Sequence, residues 1–533
     1  SEVAMSHEAE DILRLYRPAE RPEAFSPEQM RGLDSATIEE IGLPGPVLME
    51  RAALGVSRLI LERFPGRHTL IVCGRGNNAG DGLAAGRQLH LAGHPVAVVV
   101  VADSIEELSA DAALQFRAAE RSRVNLRLGA AAPDYLWDEA ELIVDCLLGT
   151  GATGELRDPV PEWTARINRA GAGGSTVLAV DVPTGVDAGS GAIAQGTVAA
   201  DLTITFHAAK TGILCPPGAE AAGEVLIWDI GVPRFLEPAP ELRVVTAKDA
   251  RIPGPRPDDH KYSAGYLLVV AGSAAYPGAA LLTSRAATRG GAGYVKLLTT
   301  QPVMPLVVGF APEVVVQPVT DAEAVNDVEA LLAAAADDRV GALALGPGLG
   351  RNEDTMKAVR RLVRETRSPG ILDADALHAF NGRLEELRGR PGLVLSPHAG
   401  ELASLLQAPM NEVAASHLAA VRRATEISGQ VVLLKGSSTL IADPGGDVWV
   451  VDQGPPELAT AGTGDVLTGL VGALLARGLE PRPAARTGAW VHAEAGRRIA
   501  ATRGAGLVAE DVAEELATVV AEQMYSRRPK WTN

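Results

Sequence analysis

The stretch HTLIVCGRGNNAGDGLAAGRQLHLAG, residues 68–93, begins as an apolar run, turns through glycines and continues with the spacing of a helix. A continuous apolar run is typical of a parallel strand that is covered on both faces, and here a helix follows it directly. The small residues of the turn let backbone amides approach a ligand, and the start of a helix favours an anion. Gly74, Gly76 and Gly80 lack the spacing of the GxGxxG dinucleotide fingerprint. This turn alone therefore does not separate a ligand site from an ordinary connection.

The same alternation of strand and helix continues on both sides of a proline-rich connector. HPVAVVVVAD, ELIVDCLLG, STVLAVD, DLTITF and EVLIWDI precede the connector, and YLLVVAG, YVKLLTT, VGALALG, GILDAD, GLVLSP and VVLLKGS follow it. Six prolines interrupt residues 233–257, so at most one short strand is expected there. We predict two α/β domains, residues 1–240 and 241–533. The core of the first covers about 30–232, and residues 1–25 form an N-terminal extension of unreadable role.

Bulk composition excludes several classes of protein. Of the 533 residues, 47% are hydrophobic but only 4% aromatic, so the cores must consist mainly of Ala, Val and Leu. The net charge of −17 opposes nucleic-acid binding. Cys73, Cys146 and Cys215 are too few and too far apart for a disulfide framework or a zinc site. No apolar run approaches the ~18 residues of a membrane helix, and the expected location is the cytosol.

Polar residues follow three predicted strands of the first half at the point where each strand ends. The run ELIVDCLLG contains Asp145 and leads into GTGATGE. The run STVLAVD ends in Asp181 and is followed by VPTG. Ligands of open α/β sheets bind outside the carboxyl ends of the strands, so these residues should meet in one region. A single aspartate at a strand end more often caps a helix, whereas three such ends together favour a functional site. The oxygen-rich set suits a hard cation rather than zinc: Asn77, Asn78, Asp81, Asp145, Asp181 and Thr184.

Three motifs of the first half together resemble the NAD(P)H-hydrate epimerase domain. They are GRGNNAGDG, Asp145 with GTGATGE, and AVDVPTGVDA. The resemblance implies a Rossmann-like three-layer αβα fold. It also implies an enzyme that interconverts the R and S epimers of NADH and NADPH hydrated at carbon 6 of the nicotinamide ring. Ala79 stands where the family has glycine, a small change that narrows the loop.

The resemblance also assigns residues to the first site. The implied potassium ligands are Asn78, Asp145 and Thr184. Chemistry at carbon 6 needs a proton donor or acceptor beside the hydroxyl, and Asp181 is our candidate for that catalytic role. The residues implied to bind the hydrate are Asn77, Asn78, Ala79, Gly80, Asp81, Gly149, Thr150, Gly151, Ala152, Thr153, Gly154, Glu155 and Asp181.

In the second half, ATAGTGDVLTG, residues 459–469, places glycines and a carboxylate at the start of a predicted helix. Gly462 and Gly464 free the backbone amides to surround a phosphate, while Asp465 lies at the same place. Amides that hold developing charge, beside a base that takes a hydroxyl proton, are what phosphoryl transfer to a hydroxyl requires. An aspartate that only satisfies a helix dipole is the simpler alternative, and the two glycines disfavour it.

Almost all of residues 255–525 resembles the ribokinase-like NAD(P)H-hydrate dehydratase, a second αβα fold. The motifs that carry this resemblance are, in order, HKYSAGYLLVVAGSAAYPGAA, GAGYVKL, LGPGLG, LDADAL, LSPHAGEL, LLKGSSTL and AGTGDVLTG. Tyr262 and the sequence HAGE depart from the family's usual glycine and HPGE. The resemblance assigns hydrate binding to Ala279, Gly348 or Gly350, His398 and Asp465, and nucleotide binding to Lys435, Gly436, Ser437, Ser438, Thr439 and Gly464.

What the second resemblance implies is dehydration driven by phosphorylation, with Asp465 as the catalytic base. ADP is expected as the phosphoryl donor because the fused architecture looks bacterial. Magnesium is expected on the phosphates, with Glu401 in its outer shell. The implied partners are hydrated NADH, hydrated NADPH and ADP, and the chain is expected to form a homo-oligomer.

Two other functions remain open at this stage. A ribokinase-like kinase for a small molecule would use the same AGTGD helix start, but it would release a stable phosphomonoester. Epimerase-like domains also occur in binding scaffolds, which the retained Asp145 and Asp181 disfavour. Alone, His398 would more often cap backbone groups and Lys435 would more often be solvated. Their contexts, PHAGE and KGSST, favour binding roles.

Overall fold

The computed structural model describes residues 15–129, 133–390 and 392–525, so residues 1–14 of the predicted N-terminal extension lie outside the described residues. The chain divides into two compact units, Ser1–Val244 and Val245–Asn533. The sequence places the boundary at residue 240, inside the same connector. Among the described helices, none is long and apolar enough to cross a membrane.

The first unit contains eleven described strands and seven described helices. The strands are β1 Leu15–Tyr16, β2 Glu23–Phe25, β3 Thr69–Cys73, β4 Val96–Val100, β5 Asn125–Leu128, β6 Leu142–Cys146, β7 Thr176–Val180, β8 Leu202–Phe206, β9 Ala209–Lys210, β10 Glu224–Trp228 and β11 Leu242–Val244. The helices are α1 Pro27–Glu39, α2 Gly45–Arg63, α3 Asn77–Leu91, α4 Ala110–Arg121, α5 Asp134–Glu139, α6 Val160–Ala172 and α7 Gly218–Ala222.

Eight strands of the first unit form one sheet in the order β1-β10-β8-β7-β6-β3-β4-β5. All neighbours are parallel except β1, which pairs antiparallel with β10. From β3 the chain proceeds outward through β4 and β5, and it later returns on the other side through β6, β7 and β8. The order of the strands therefore reverses between β3 and β6, where open α/β sheets form a ligand crevice at the carboxyl ends of the strands.

A short group of strands holds the N-terminal segment against the rest of the first unit. Strand β2 pairs antiparallel with β11 and parallel with β9, which places Phe25 opposite Lys210. Beside this pairing, Arg21 donates to the His207 ring at 3.1 Å and to Glu237 Oε1 at 2.8 Å. Arg21 and His207 are only 3% and 1% exposed, and His207 adopts the left-handed backbone conformation with φ 65°. Residues 15–25 are therefore an integral part of the unit.

The second unit contains nine described strands and eleven described helices. The strands are β12 Tyr266–Val270, β13 Tyr294–Thr300, β14 Val315–Thr320, β15 Ala342–Leu345, β16 Gly370–Leu372, β17 Leu393–Leu395, β18 Val431–Leu434, β19 Thr439–Ala442 and β20 Val448–Val451. The helices are α8 Pro277–Arg289, α9 Met304–Phe310, α10 Val328–Ala335, α11 Glu353–Glu365, α12 Ala374–His378, α13 Ala399–Leu406, α14 Met410–Ala415, α15 His417–Ser428, α16 Thr463–Ala476, α17 Pro481–Arg503 and α18 Ala509–Tyr525.

The nine strands of the second unit follow the order β14-β13-β12-β15-β16-β17-β18-β19-β20. Pairing is parallel from β14 to β18 and antiparallel from β18 to β20. The order reverses between β12 and β15, which again places a crevice at the carboxyl ends of the strands. Helix α16 packs its small face closely on α8, where a Cβ at Gly469 would meet the Thr283 carbonyl oxygen at 2.1 Å. The α/β prediction is confirmed for both units.

Candidate active sites

A cavity of about 570 Å³ opens at the strand reversal of the first unit. Titratable side chains from several segments line it, and they are Arg31 and Asp34 of α1, Asp81 of α3, Asp111 of α4, Asp181 after β7 and Lys210 of β9. We call it the acidic cavity. The predicted residues Asn77, Asn78, Gly149, Thr150, Gly151 and Ala152 also line it.

Asp181 lies in the acidic cavity as a buried carboxylate with an ion pair. Lys210 Nζ lies 2.6 Å from its Oδ1, and Thr150 donates to its Oδ2 from the backbone at 3.1 Å and from the hydroxyl at 2.8 Å. Burial alone would raise the pKa of Asp181, but the Lys210 ammonium and the Thr150 bonds outweigh burial and hold the pKa below its ordinary value. Asp181 is therefore ionised at neutral pH.

The pKa of Asp81 is shifted in the opposite direction. Burial, and secondarily the charge of Asp181, raise the pKa of Asp81 well above its ordinary value, although Lys210 opposes this. The pKa of Asp34 is also raised, again mainly by burial. The acidic cavity thus holds two carboxyl groups, Asp181 and Asp81, whose pKa values are shifted in opposite directions. Opposite pKa shifts of neighbouring groups are typical of sites of acid–base catalysis.

Asp145 and Thr184 line neither the acidic cavity nor the second cavity described below. Asp145 is fully buried and accepts bonds from the Thr184 backbone and hydroxyl, both at 2.8 Å, and from the Leu147 backbone at 3.1 Å. Burial raises the pKa of Asp145 to about 6, and these hydrogen bonds limit the rise. Asn78 donates to the Leu148 carbonyl at 2.8 Å, while its own buried Oδ1 has no partner within the described part of the chain.

The glycine-rich loop 149–155 divides its residues between two cavities. A second cavity of about 580 Å³, which we call the side cavity, is lined by Thr153, Gly154, Glu155, Arg157 and Val186 among others. Gly151 and Ala152 line both cavities. A Cβ at Gly149 would lie 3.2 Å from Asp181 Oδ2 and 3.3 Å from Asn78 Cβ, so the loop runs close to both side chains.

Of the residues predicted to bind the hydrate, two line neither cavity. Ala79 is fully buried in the core, and a Cβ at Gly80 would meet Met49 Sδ at 2.5 Å. Both residues face inward from the first turns of α3 and let it pack closely. A direct contact between these two residues and a substrate stays a prediction.

In the second unit, Asp465 is the third residue of α16. Its N-cap Gly462 adopts φ 90°, and a Cβ there would meet Leu282 Cδ1 at 2.6 Å, so only glycine fits. Burial, and secondarily the charge of Asp373, raise the pKa of Asp465 to about 7, although Lys435 opposes both. A carboxyl group with this pKa can take a proton near neutral pH.

Lys435 and Asp373 form a buried ion pair beside the start of α16. Lys435 Nζ lies 2.6 Å from Asp373 Oδ1, and a Cβ on Gly464 would lie 3.5 Å from the same ammonium. Asp373 Oδ2 accepts a bond of 2.6 Å from the Thr468 hydroxyl, one turn into α16. Burial would lower the pKa of Lys435, but Asp373, Glu401 and Asp465 together raise it. The lysine is therefore a fixed positive charge at the helix start.

His398 caps α13. Its Nδ1 accepts from the backbone of Gly400 at 3.0 Å and of Glu401 at 3.3 Å, while the His398 backbone donates to Glu401 Oε2 at 2.9 Å. An Nδ1 that accepts bonds leaves the proton of the neutral ring on Nε2, where it can be donated to a ligand. A backbone bridge pairs His398 with Lys435, so the strand ends bring these two predicted residues together.

The remaining predicted residues of the second site lie in the first turn of α8, in the loop after β15 and at the β18–β19 hairpin. A Cβ at Gly348 would lie 2.8 Å from Ala279 Cβ, which shows that these two positions touch. Gly350 donates to Asp375 Oδ2 at 2.8 Å. Of the residues predicted to bind nucleotide, Gly464 lies in the first turn of α16. The others lie at the antiparallel β18–β19 hairpin, in or next to its turn, and are Lys435, Gly436, Ser437, Ser438 and Thr439.

Sequence reasoning missed several side chains that the structure brings to these sites. Asp373 directly follows β16 in LDADAL, and the strand-end rule that found Asp145 and Asp181 would have found it. Lys210 comes from a strand of two residues, which has no periodic signal. His492 of α17 bonds through Nε2 to the Thr463 carbonyl at 2.9 Å, and burial lowers its pKa to about 4. It therefore holds the first turn of α16 as a neutral ring.

Family models match both units. Residues 45–212 match the family described as YjeF-related protein N-terminus, and residues 267–518 match the family described as NAD(P)H-hydrate dehydratase.

Solved structures resemble each part of the chain. A Bacillus subtilis ADP/ATP-dependent NAD(P)H-hydrate dehydratase, co-crystallised with ATP and Mg²⁺, is 30% identical, covers 52% of this chain and 98% of its own, and has a TM-score of 0.46. A yeast protein is 22% identical, covers 40% of this chain and 91% of its own, and has a TM-score of 0.36.

Full-length relatives contain both units. The bifunctional NAD(P)H-hydrate repair enzyme Nnr of Pyrobaculum aerophilum is 36% identical over 90% of this chain and 95% of its own length. The enzyme of the same name from Salinibacter ruber is 36% identical over 94% and 97%, and that of Escherichia coli is 32% identical over 90% and 90%. Because these relatives are more than 30% identical to the chain over nearly its whole length, the chain belongs to the family of bifunctional NAD(P)H-hydrate repair enzymes.

Proposed function

We propose that the first unit epimerises hydrated NADH and NADPH at carbon 6, and that the second unit dehydrates the S epimer at the expense of ADP. The observation that supports this most is the position of Asp465, next to the amides that begin α16 and to the Lys435–Asp373 pair. Cytosolic location and assembly into a homo-oligomer are parts of the same proposal.

In the second unit, Asp465 takes the proton of the carbon 6 hydroxyl as its oxygen attacks the terminal phosphorus of ADP. The bond from that phosphorus to the bridging oxygen breaks, and AMP leaves. The amides around Gly464 and the fixed charge of Lys435 stabilise the negative charge on the transferring group. Phosphate then departs with the electrons of its bond to carbon 6, and loss of a proton from carbon 5 restores the ring double bond.

In the first unit, Asp81 gives its proton to the departing hydroxyl, and the lone pair of the ring nitrogen forms a double bond to carbon 6. Water then adds to the opposite face of carbon 6, and Asp181 takes a proton from that water. The two carboxyl groups line the same cavity, and their pKa values are shifted in opposite directions, which suits one to act as the acid and the other as the base. Lys210 keeps Asp181 ionised and in place.

The residues around Asp145 fit a potassium ion. Asp145 is fully buried and has no cationic partner within ion-pair distance among the described residues. Its partner Thr184 accepts a bond from the Leu148 backbone at 3.1 Å, and Asn78, whose Oδ1 is unpartnered within the described part of the chain, donates to the Leu148 carbonyl at 2.8 Å. A buried carboxylate without a counter-charge is costly, and a bound cation offsets that cost. Asn78, Asp145 and Thr184 would hold the ion, which would supply a fixed positive charge under the loop 149–155.

Magnesium would be held mainly by the phosphates of ADP. No group of three or more His, Cys, Asp or Glu side chains within residues 15–129, 133–390 and 392–525 is arranged to hold a metal. This fits Mg²⁺, which commonly binds through one or two carboxylates and substrate phosphates. It would neutralise charge on the transferring group, and Glu401 remains our candidate for its outer shell.

Removing potassium is expected to destabilise the first unit, and more so at pH 8 than at pH 5. Below pH 6 a proton neutralises Asp145, whereas above pH 6 the ionised carboxylate needs the cation. Potassium at a hundredfold excess over its Kd should add about 2.7 kcal/mol to the free energy of unfolding. Thermal unfolding in potassium and in choline chloride measures this. Asp145→Asn should remove the difference and Asp201→Asn should keep it; an equal response of all three proteins would contradict it.

The kcat/KM for dehydration is expected to rise about tenfold per pH unit up to pH 7 and to level off above it. The base must be ionised, and the pKa of Asp465 in the free enzyme is about 7. Lys435→Met should move the midpoint to higher pH, because the lysine charge lowers this pKa. Initial rates between pH 5.5 and 9 test this, and a flat profile from 6 to 8 would count against Asp465.

One assay tests both halves of the proposal. Mixed epimers of hydrated NADH are supplied with ADP and magnesium, and the absorbance of the reduced nicotinamide and free phosphate are followed. Conversion of both epimers requires both activities, while conversion of only the S epimer indicates an inactive first unit. Accumulation of a stable phosphomonoester instead would support the small-molecule kinase.

A further inference from the structure

We propose that the side cavity of the first unit binds the adenosine half of the hydrated dinucleotide, while the acidic cavity binds the nicotinamide half. This inference rests on the epimerase function proposed above. It assigns an occupant to a cavity that takes no part in the proton transfers.

The two cavities adjoin each other and differ in chemistry. They share Gly76, Leu147, Leu148, Gly151 and Ala152, so one extended ligand can enter both. The groups assigned to proton transfer, Asp81 and Asp181, line only the acidic cavity, as does Lys210. The reacting ring must therefore lie there, and the remainder of the substrate must extend elsewhere.

The side cavity has the size and lining that a nucleoside needs. Its volume of about 580 Å³ lies within the roughly 300–1,000 Å³ of ligand pockets. Val101, Leu156, Val160 and Val186 offer apolar surface to a flat base. Glu155 and Asp158 lie among them and can accept bonds from ribose hydroxyls and an exocyclic amine.

The diphosphate that joins the two halves would pass the start of α3. Gly76, the N-cap residue, lines both cavities, and no side chain caps this helix of 15 residues. Amides that begin a helix bind phosphate oxygens well. The loop 149–155 supports the same path, because Gly149 and Thr150 line the acidic cavity while Thr153, Gly154 and Glu155 line the side cavity. A dinucleotide that follows this loop would contact both sets.

A truncated substrate combined with a blocked cavity tests the inference. The substrates are hydrated NADH and hydrated reduced nicotinamide mononucleotide, which lacks adenosine. Ala194→Trp and, separately, Val160→Trp place an indole in the side cavity, and the exposed Ala199→Trp is the matched control. Exchange of the two epimers is followed by chromatography. Each blocking variant should lower kcat/KM for hydrated NADH by at least about tenfold and leave the mononucleotide unchanged, because only adenosine contacts are lost.

A measurement on the unmodified protein makes the test independent of folding. Adenosine monophosphate should inhibit epimerisation of hydrated NADH competitively and leave that of the hydrated mononucleotide unaffected. Equal inhibition of both substrates, or equal loss of both in the two blocking variants, would overturn the adenosine assignment. Absence of epimerisation of either substrate by the unmodified protein would instead refute the epimerase function itself.

Discussion

Asp465→Asn is expected to lower the conversion of the S epimer of hydrated NADH to NADH by about 10²–10⁴-fold, the range for removal of a general base. The amide preserves the shape of the carboxyl group but cannot take the hydroxyl proton. KM for ADP should change little, since Lys435 and the amides of α16 remain. The rate of NADH formation from the pure S epimer measures the loss.

The matched control for this variant is Asp511→Asn. Asp511 lies in the first turn of α18 and accepts a bond of 3.1 Å from the Val508 backbone, so it experiences a comparable helix dipole. If Asp465 only stabilised its helix, the two substitutions would have similar small effects. Near-normal turnover by Asp465→Asn would refute its role as the base.

Asp181→Asn is expected to leave the R epimer of hydrated NADH unconverted while the S epimer still reacts. Epimerisation should fall by about 10²–10⁴-fold, because the base that takes a proton from water is lost. Asparagine tolerates the left-handed backbone at this position, where φ is 68°, so the local fold should persist. Mixed epimers with ADP and magnesium then give about half of the NADH that the unmodified protein forms.

The buried Lys210 loses its counter-charge in this variant, and an uncompensated buried charge costs about 3–5 kcal/mol. A second variant, with Lys210→Met added, removes that cost and should remain inactive in epimerisation. Asp201→Asn is the control, because this exposed aspartate precedes β8 and accepts from the Val177 backbone at 2.8 Å. Full epimerisation by the double variant, shown to be folded, would disprove the catalytic role of Asp181.

The strand-end rule predicted part of the first site from sequence and could not predict the rest. Asp145 and Asp181 end long apolar strands, which are easy to recognise. Lys210 follows a bend at His207, where φ is 65°, and its strand β9 is too short for any pattern. Asp34 lies on α1, and a helical pattern does not show which exposed residues will face a neighbouring loop. Their place in the cavity depends on tertiary packing.

In the second unit, the sequence predicted the start of α16 and Lys435, but it did not predict Asp373. The AGTGD sequence shows a helix N-terminus because glycine and aspartate have strong local preferences there. The partners of Asp465 come from distant parts of the chain, because Asp373 directly follows β16 and Lys435 directly follows β18. Sequence alone placed Lys435 near the nucleotide but gave no sign that it is neutralised by Asp373. The hairpin of β19 and β20 was also missed, since neither apolar run stands out beside β18.

The pairing of β2 with β9 determines how far the N-terminus can be truncated. A fragment that starts at residue 30, where the predicted core of the first domain begins, lacks Phe25 opposite Lys210 and lacks Arg21 against His207. Its lysine would lose the backbone support that keeps the ammonium on Asp181. Such a fragment keeps every signature residue of the first half, and we expect it to lose the ability to invert the configuration at carbon 6.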